Sequence, residues 1–80
     1  MYHVYVLLNK AKTRTCTGVA EDVEKRLNVH NAGGVTATRP YRPYTILQVE
    51  SFETLLEAQQ KETFYKSTTG RRRVKAMLST

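Results

Sequence analysis

A single cysteine, no tryptophan and only two prolines in 80 residues exclude several classes of protein at once. One thiol, Cys16, cannot close an internal disulfide, so a small secreted scaffold is ruled out and a reducing compartment fits. No apolar run approaches the roughly 20 residues that cross a bilayer. The N-terminus lacks the pattern of a signal peptide, and the chain is expected in the cytoplasm, away from membranes. Repeats, linkers and low-complexity segments are missing as well. Acidic residues are scarce: seven Asp and Glu face thirteen Lys and Arg, a net charge of +6. That excess favours polyanions by counterion release, although a small basic domain need not bind nucleic acid specifically. What is present suffices for a fold. A hydrophobic fraction of 40%, with five Tyr and two Phe, predicts one small globular domain over residues 1–80.

Residues 2–8 (YHVYVLL) are rich in β-branched and aromatic side chains and read as a strand. Val4, Val6 and Leu8 alternate with His3, Tyr5 and Leu7. A short polar connection follows, then a return strand over residues 14–17 ending at Gly18. From Asp22 the period becomes helical, with Val23, Leu27 and His30 at i, i+4 and i+7. Glu21, Asp22 and Glu24 oppose the positive end of that helix dipole, and Gly33 and Gly34 stop the helix. A ten-residue loop precedes a third strand over residues 44–50. Thr54 and Glu57 form a capping box for a helix running to Lys66. Residues 67–70 break it, and a last short helix covers residues 71–78. The expected fold is α+β, a three-stranded antiparallel sheet flanked by helices in the order ββαβαα.

Several positions suit chemistry as well as packing. Glu62 falls on the stripe Leu55, Ala58, Glu62, Tyr65, where an unpaired buried carboxylate would be costly; it needs a cation, a polar cluster or a cleft, unless it lies at the wet margin of the stripe. Arg26 and His30, at i and i+4, share a helix face. The arginine suits a phosphate oxygen and the histidine a proton, the plain alternative being a solvated Arg and a half-buried His. Tyr5 and Cys16 face each other across the hairpin. A tyrosine can orient or deprotonate a nucleophile, but is more commonly a core aromatic, and Cys16 reads as a small buried hydrophobe without metal-ligand spacing. Thr36, Thr38, Arg39, Tyr41 and Arg42 mix donors, charge and rings in the loop, which suits phosphate contacts and base stacking. Arg71, Arg72, Arg73 and Lys75 add a basic end. Each of these is also compatible with a solvated surface.

Taken together these residues resemble the GIY-YIG nuclease superfamily, in particular its small stand-alone members, over essentially the whole chain. The first tripeptide of the family corresponds to His3-Val4-Tyr5, where the tyrosine remains. The second corresponds to Cys16-Thr17-Gly18, where the glycine remains and the tyrosine is replaced by Cys16. Asp22 to Leu27 is similar to the family's helix segment and aligns its catalytic arginine with Arg26; His30 occupies a position where members carry His or Tyr. Thr38-Arg39-Pro40 through Pro43-Tyr44 is similar to the Thr-Arg…Pro loop, and Glu57-Ala58, Lys61-Glu62 and Lys66 to the metal-site helix. The lysine that some members carry just after the glycine is replaced by Val19.

The resemblance implies a metal-dependent endonuclease acting on nucleic acid, DNA in the first place. Glu62 would hold one Mg²⁺ or Mn²⁺, Arg26 would neutralise charge on the phosphate, and Tyr5 with His30 would orient or deprotonate water. Thr38, Arg39, Arg42, Lys66, Arg71 and Arg72 are the expected nucleic-acid contacts. Specificity would come from the loop, a homodimer or a partner protein. The loss of a tyrosine hydroxyl at Cys16 supports an alternative, a catalytically impaired nucleic-acid-binding module on the same fold.

Overall fold

A computed structural model describes residues 1–78 of the chain. The elements are β1 (Tyr2–Asn9), β2 (Thr15–Ala20), α1 (Val23–Asn31), a 3-10 turn (Arg39–Tyr41), β3 (Tyr44–Phe52), α2 (Leu55–Lys66) and α3 (Thr68–Leu78). The order ββαβαα and the α+β class are as expected. The sheet runs β2-β1-β3, with both pairings antiparallel. No helix among the described residues is long and apolar enough to cross a membrane.

β1 is central because it is apolar on both faces. Val4 and Val6 pack with Ala58, Tyr65 and Val74 beneath α2 and α3. Tyr5 and Leu7 pack with Val23 of α1 and with Tyr44 on the other face. The β1–β2 connection has no Asn-Gly signal, and Asn9 organises it instead. Its Oδ1 accepts the backbone N–H groups of Thr13 and Arg14, both at 2.9 Å, and its Nδ2 donates to the Thr13 hydroxyl. Lys12 takes the left-handed conformation at φ 58°.

β2 runs past Gly18 to Ala20, beyond its expected end. Gly18 is not a stop. It pairs with Tyr5, whose ring lies across it, and a Cβ there would meet the Tyr5 hydroxyl at 2.4 Å. Glycine in a strand marks such a close approach.

Asp22 caps α1, its carboxylate accepting from the Lys25 N–H at 3.0 Å. The helix closes as a Schellman motif: Gly33 N–H donates to His30 O and Gly34 N–H to Val29 O. Asn31 then ties the end of α1 to the start of β3, accepting the Tyr44 N–H at 2.7 Å and donating to the Tyr44 carbonyl. The loop between them is thus anchored at both ends.

Thr54 caps α2 as expected, accepting the Glu57 N–H, while the Glu57 carboxylate accepts the Thr54 hydroxyl. The inner face of α2 is narrower than the sequence stripe: Ala58 and Tyr65 are buried, but Leu55 is 44% exposed. The expected break at residues 67–70 is only a corner. Ser67 ends α2 and α3 already begins at Thr68. Gly70 belongs to α3, and a Cβ on it would lie 1.9 Å from the Phe64 carbonyl oxygen. Its role is to let two helices meet closely, which local propensity does not reveal.

Candidate active site

Tyr5 comes from β1, Cys16 from β2, Arg26 and His30 from α1, and Glu62 and Lys66 from α2. Antiparallel pairing puts Tyr5 beside Gly18 and Leu7 beside Cys16, so all four face the same side of the sheet. Tyr5 is 3% exposed. Burial pushes its hydroxyl above the usual tyrosine range; a hydrogen bond from Arg26 opposes this, and the negative charge of Glu62 adds to it. The phenol therefore keeps its proton at neutral pH. Cys16 is half-buried, and burial pushes its thiol up as well; the nearby charges of Lys66 and Arg26 pull it down. Arg26 itself is exposed. Charge effects thus couple Tyr5 and Cys16 to Arg26 and Glu62, with Lys66 acting on Cys16 as well.

Glu62 sits at the margin of the α2 stripe rather than inside it, with its side chain 25% exposed. Lys66, one helical turn on, donates to its Oε2 at 3.1 Å. Among the described residues no three His, Cys, Asp or Glu gather as a metal cage. A lone accessible carboxylate suits a hard divalent ion that keeps most of its waters and completes its shell with phosphate, as Mg²⁺ or Mn²⁺ does. It does not suit zinc, which takes three or four protein ligands.

His30 lies deeper, 2% exposed, where sequence reasoning allowed half-burial. Its Nδ1 is 2.9 Å from the Thr38 hydroxyl, which already donates to Val35 O. With the Thr38 hydroxyl donating to Val35, the consistent assignment is a proton on Nδ1 and a lone pair on Nε2. Nε2 is buried without a partner among the described residues. Burial, aided by the Arg26 charge, pushes the imidazole below its ordinary range. The ring is neutral, set edge-on to Tyr5 with centroids 6.2 Å apart and at the same separation from Tyr44.

Thr38 is a correction. Expected at a nucleic-acid surface, it is 7% exposed, and its hydroxyl is occupied in orienting His30. A contact spanning eight residues of irregular chain leaves no periodic signal. Arg39 and Arg42 are exposed, but they gather at the C-terminal end of α1: Arg39 Nε donates to Gly33 O at 3.0 Å, and the Arg42 guanidinium packs against Gly33. There they also complement the helix dipole. Arg71 lines a cleft beside the β1–β2 turn, whereas Arg72 is exposed outside it.

A second polar cluster lies on the opposite face. Tyr65, also 3% exposed, donates its hydroxyl to Glu50 Oε1 and accepts from Gln48 Nε2 at 2.8 Å. Lys61 approaches Glu50 at 3.8 Å. Burial and the Glu50 hydrogen bond push Tyr65 up to about 12. Gln48 and Glu50 alternate on β3, but nothing local couples them to α2.

The description of the GIY-YIG catalytic domain matches residues 1–75. A UPF0213 protein of Bacillus velezensis is 36% identical over 72 residues, spanning 89% of this chain and 73% of the relative. One from Halobacterium salinarum is 41% identical over 63 residues, 78% of this chain and 80% of its own length. The solution NMR structure of a UPF0213 protein from Bacillus halodurans aligns with a TM-score of 0.55 at 27% identity, covering 96% of this chain and 85% of that one.

Proposed function

The chain belongs to the GIY-YIG catalytic-domain family, and from that premise we propose that it is a metal-dependent endonuclease hydrolysing phosphodiester bonds in nucleic acid, with DNA the favoured substrate. The observation that supports this reading is that Arg26 of α1 and Glu62 of α2 both act electrostatically on Tyr5 of β1, and both also act on Cys16 of β2. Glu62 would hold one Mg²⁺ or Mn²⁺, which when bound supplies Lewis-acid polarisation of the phosphate and stabilises the leaving oxygen. Arg26, exposed and permanently charged, meets the charge that develops on the phosphoryl oxygens. Tyr5 keeps its proton, so it serves as a hydrogen-bond donor that orients the attacking water or a phosphate oxygen rather than as a ready-made base. His30 positions Tyr5 through ring packing and is itself set by Thr38. Lys66 holds Glu62 in place. Arg39, Arg42, Lys66, Arg71 and Arg72 supply positive charge for the backbone. One such cluster per chain nicks a duplex; cutting both strands needs a second copy or a partner protein.

Cleavage of supercoiled plasmid and branched DNA with Mg²⁺ or Mn²⁺ tests the proposal. Glu62→Ala should abolish cleavage, and Arg26→Ala should lower it by roughly 10²–10³-fold. Equal cleavage by Glu62→Ala and the wild type rejects the metal role. Cys16 favours a second reading, a binding module with impaired catalysis, because a protonated thiol is a poor hydrogen-bonding substitute for a phenol. A wild type that binds without cutting, and gains activity on Cys16→Tyr, supports that reading instead.

A further inference from the structure

Between the β1–β2 turn and α3 lies a cleft of about 180 Å³. Lys12 and Arg14 line it from the turn, Arg71 and Lys75 from the helix, and among the described residues no acidic side chain does. Thr13, Thr15 and Thr17 contribute hydroxyls above an apolar floor of Tyr65 and Val74. Like charges around one concavity repel one another, and a bound polyanion relieves that repulsion. The charge is not spread evenly over the molecule: Glu21, Asp22 and Glu24 gather at the other end, around the start of α1.

The turn that carries two of the cations is held by the fold. The Arg14 guanidinium stacks 4.4 Å from the centre of the Tyr41 ring and donates to its hydroxyl at 3.1 Å. At Lys12 the backbone is fixed, by its N–H bond to Asn9 O and by the Asn9 side chain that organises the turn, and the side chain is exposed. The hydroxyls match phosphate contacts that carry no sequence information.

The cleft adjoins the Tyr5–Glu62 cluster across one strand. β2 is an edge strand, and its side chains alternate: Cys16 pairs with Leu7 on the Tyr5 face, while Thr15 and Thr17 pair with Leu8 and Val6 on the other. On α2, Lys66 acts on Cys16, and its neighbour Tyr65 forms the floor of the cleft.

We propose that this cleft is a second phosphate-binding site, which holds the backbone of the nucleic-acid strand beyond the bond that is cut. For its part in cleavage the site rests on the endonuclease reading; for binding it stands alone. The test is fluorescence anisotropy of a labelled oligonucleotide, single-stranded and duplex, with a chelator present and over a series of salt concentrations. Lys12→Asn/Arg71→Gln changes two exposed residues, and Asn tolerates the left-handed backbone at position 12. The double variant should weaken binding about tenfold and lower the salt slope by roughly two, one per cation removed. Lys10→Gln/Lys25→Gln removes equal charge at exposed positions outside the cleft and should leave the slope near that of the wild type. Wild-type affinity and slope in the cleft variant overturn the proposal, and so does an equal loss in the second pair. A wild type that fails to cut but shows the cleft-specific loss rejects the endonuclease reading and leaves the binding site standing.

Discussion

Tyr5 and Tyr65 occupy opposite faces of one three-stranded sheet at the same 3% exposure, yet their hydroxyls are set up for different work. Tyr65 is closed: it donates to Glu50 and accepts from Gln48, and its pKa rises to about 12. Tyr5 meets a cation instead. Arg26 and Glu62 both act on its hydroxyl, from α1 and α2. Burial is therefore a poor guide to role. The carboxylate that pairs with Tyr65 makes it a structural tie, whereas the guanidinium beside Tyr5 leaves a proton available to a ligand.

The sharpest way to break that comparison is to delete each hydroxyl. Tyr5→Phe should lower cleavage by about 10²-fold or more while changing stability by no more than about 1 kcal/mol. Tyr65→Phe should leave cleavage at the wild-type level and cost roughly 1–3 kcal/mol, because Glu50 and Gln48 lose a buried partner. Plasmid cleavage and urea unfolding on both variants read the two effects apart. Similar effects of the two substitutions would mean that the faces do not differ as argued.

Much of the frame behind this comparison is legible in the sequence, because it is local or periodic. β1 alternates, α1 repeats at helical spacing, and Thr54 with Glu57 marks the start of α2. Arg26 and His30 share a helix face for the same reason. The misreadings occur where a residue answers to something distant. Gly18 and Gly70 look like stops by composition, but one lies under the Tyr5 ring and the other against the backbone of α2. Thr38 looks like a surface donor until His30 is folded onto it. Glu62 looks buried because Leu55 extends its stripe, and the exposure of Leu55 removes that argument. What remains for Glu62 is its charge acting on Tyr5 and Cys16, which only the tertiary structure supplies.

The two glycines sharpen the comparison at smaller magnitude. Gly18→Ala would bring a Cβ to 2.4 Å from the Tyr5 hydroxyl and 2.6 Å from Cζ. The ring is a side chain and can move, so stability should fall by about 1–3 kcal/mol. Displacing the hydroxyl should reduce cleavage by roughly tenfold or more, since a shift near 1 Å at a reacting group can cost up to about a hundredfold. Gly70→Ala has no side chain to push aside, because its Cβ would meet the Phe64 carbonyl at 1.9 Å and Tyr65 Cα at 2.5 Å. It should cost more stability than Gly18→Ala and leave the cleavage rate of the folded fraction unchanged. Thermal unfolding beside cleavage normalised to folded protein separates the two. A larger activity loss in Gly70→Ala than in Gly18→Ala would contradict the division between the faces.

The smallest effect concerns pH, where the two faces should fail at opposite ends. On the Tyr5 face, His30 is held below its ordinary value of 6.5. Below that pH the unfolded chain binds a proton that the folded chain resists, so this face loses stability as pH falls through 6.5 and retains it above. On the other face Tyr65 is raised from 10.0 to about 12. Above pH 10.0 the unfolded tyrosine ionises while the folded one stays protonated, so its contribution is complete below that pH and is lost as pH rises towards 12. Unfolding free energies should therefore give a steeper acid slope for the wild type than for His30→Gln between about pH 5 and 7. On the alkaline side, the wild type should be steeper than Tyr65→Phe. If His30→Gln keeps the acid slope, His30 is not the group held neutral beside Tyr5. Should Tyr65→Phe keep the alkaline slope, the Glu50 tie does not hold the Tyr65 proton in solution.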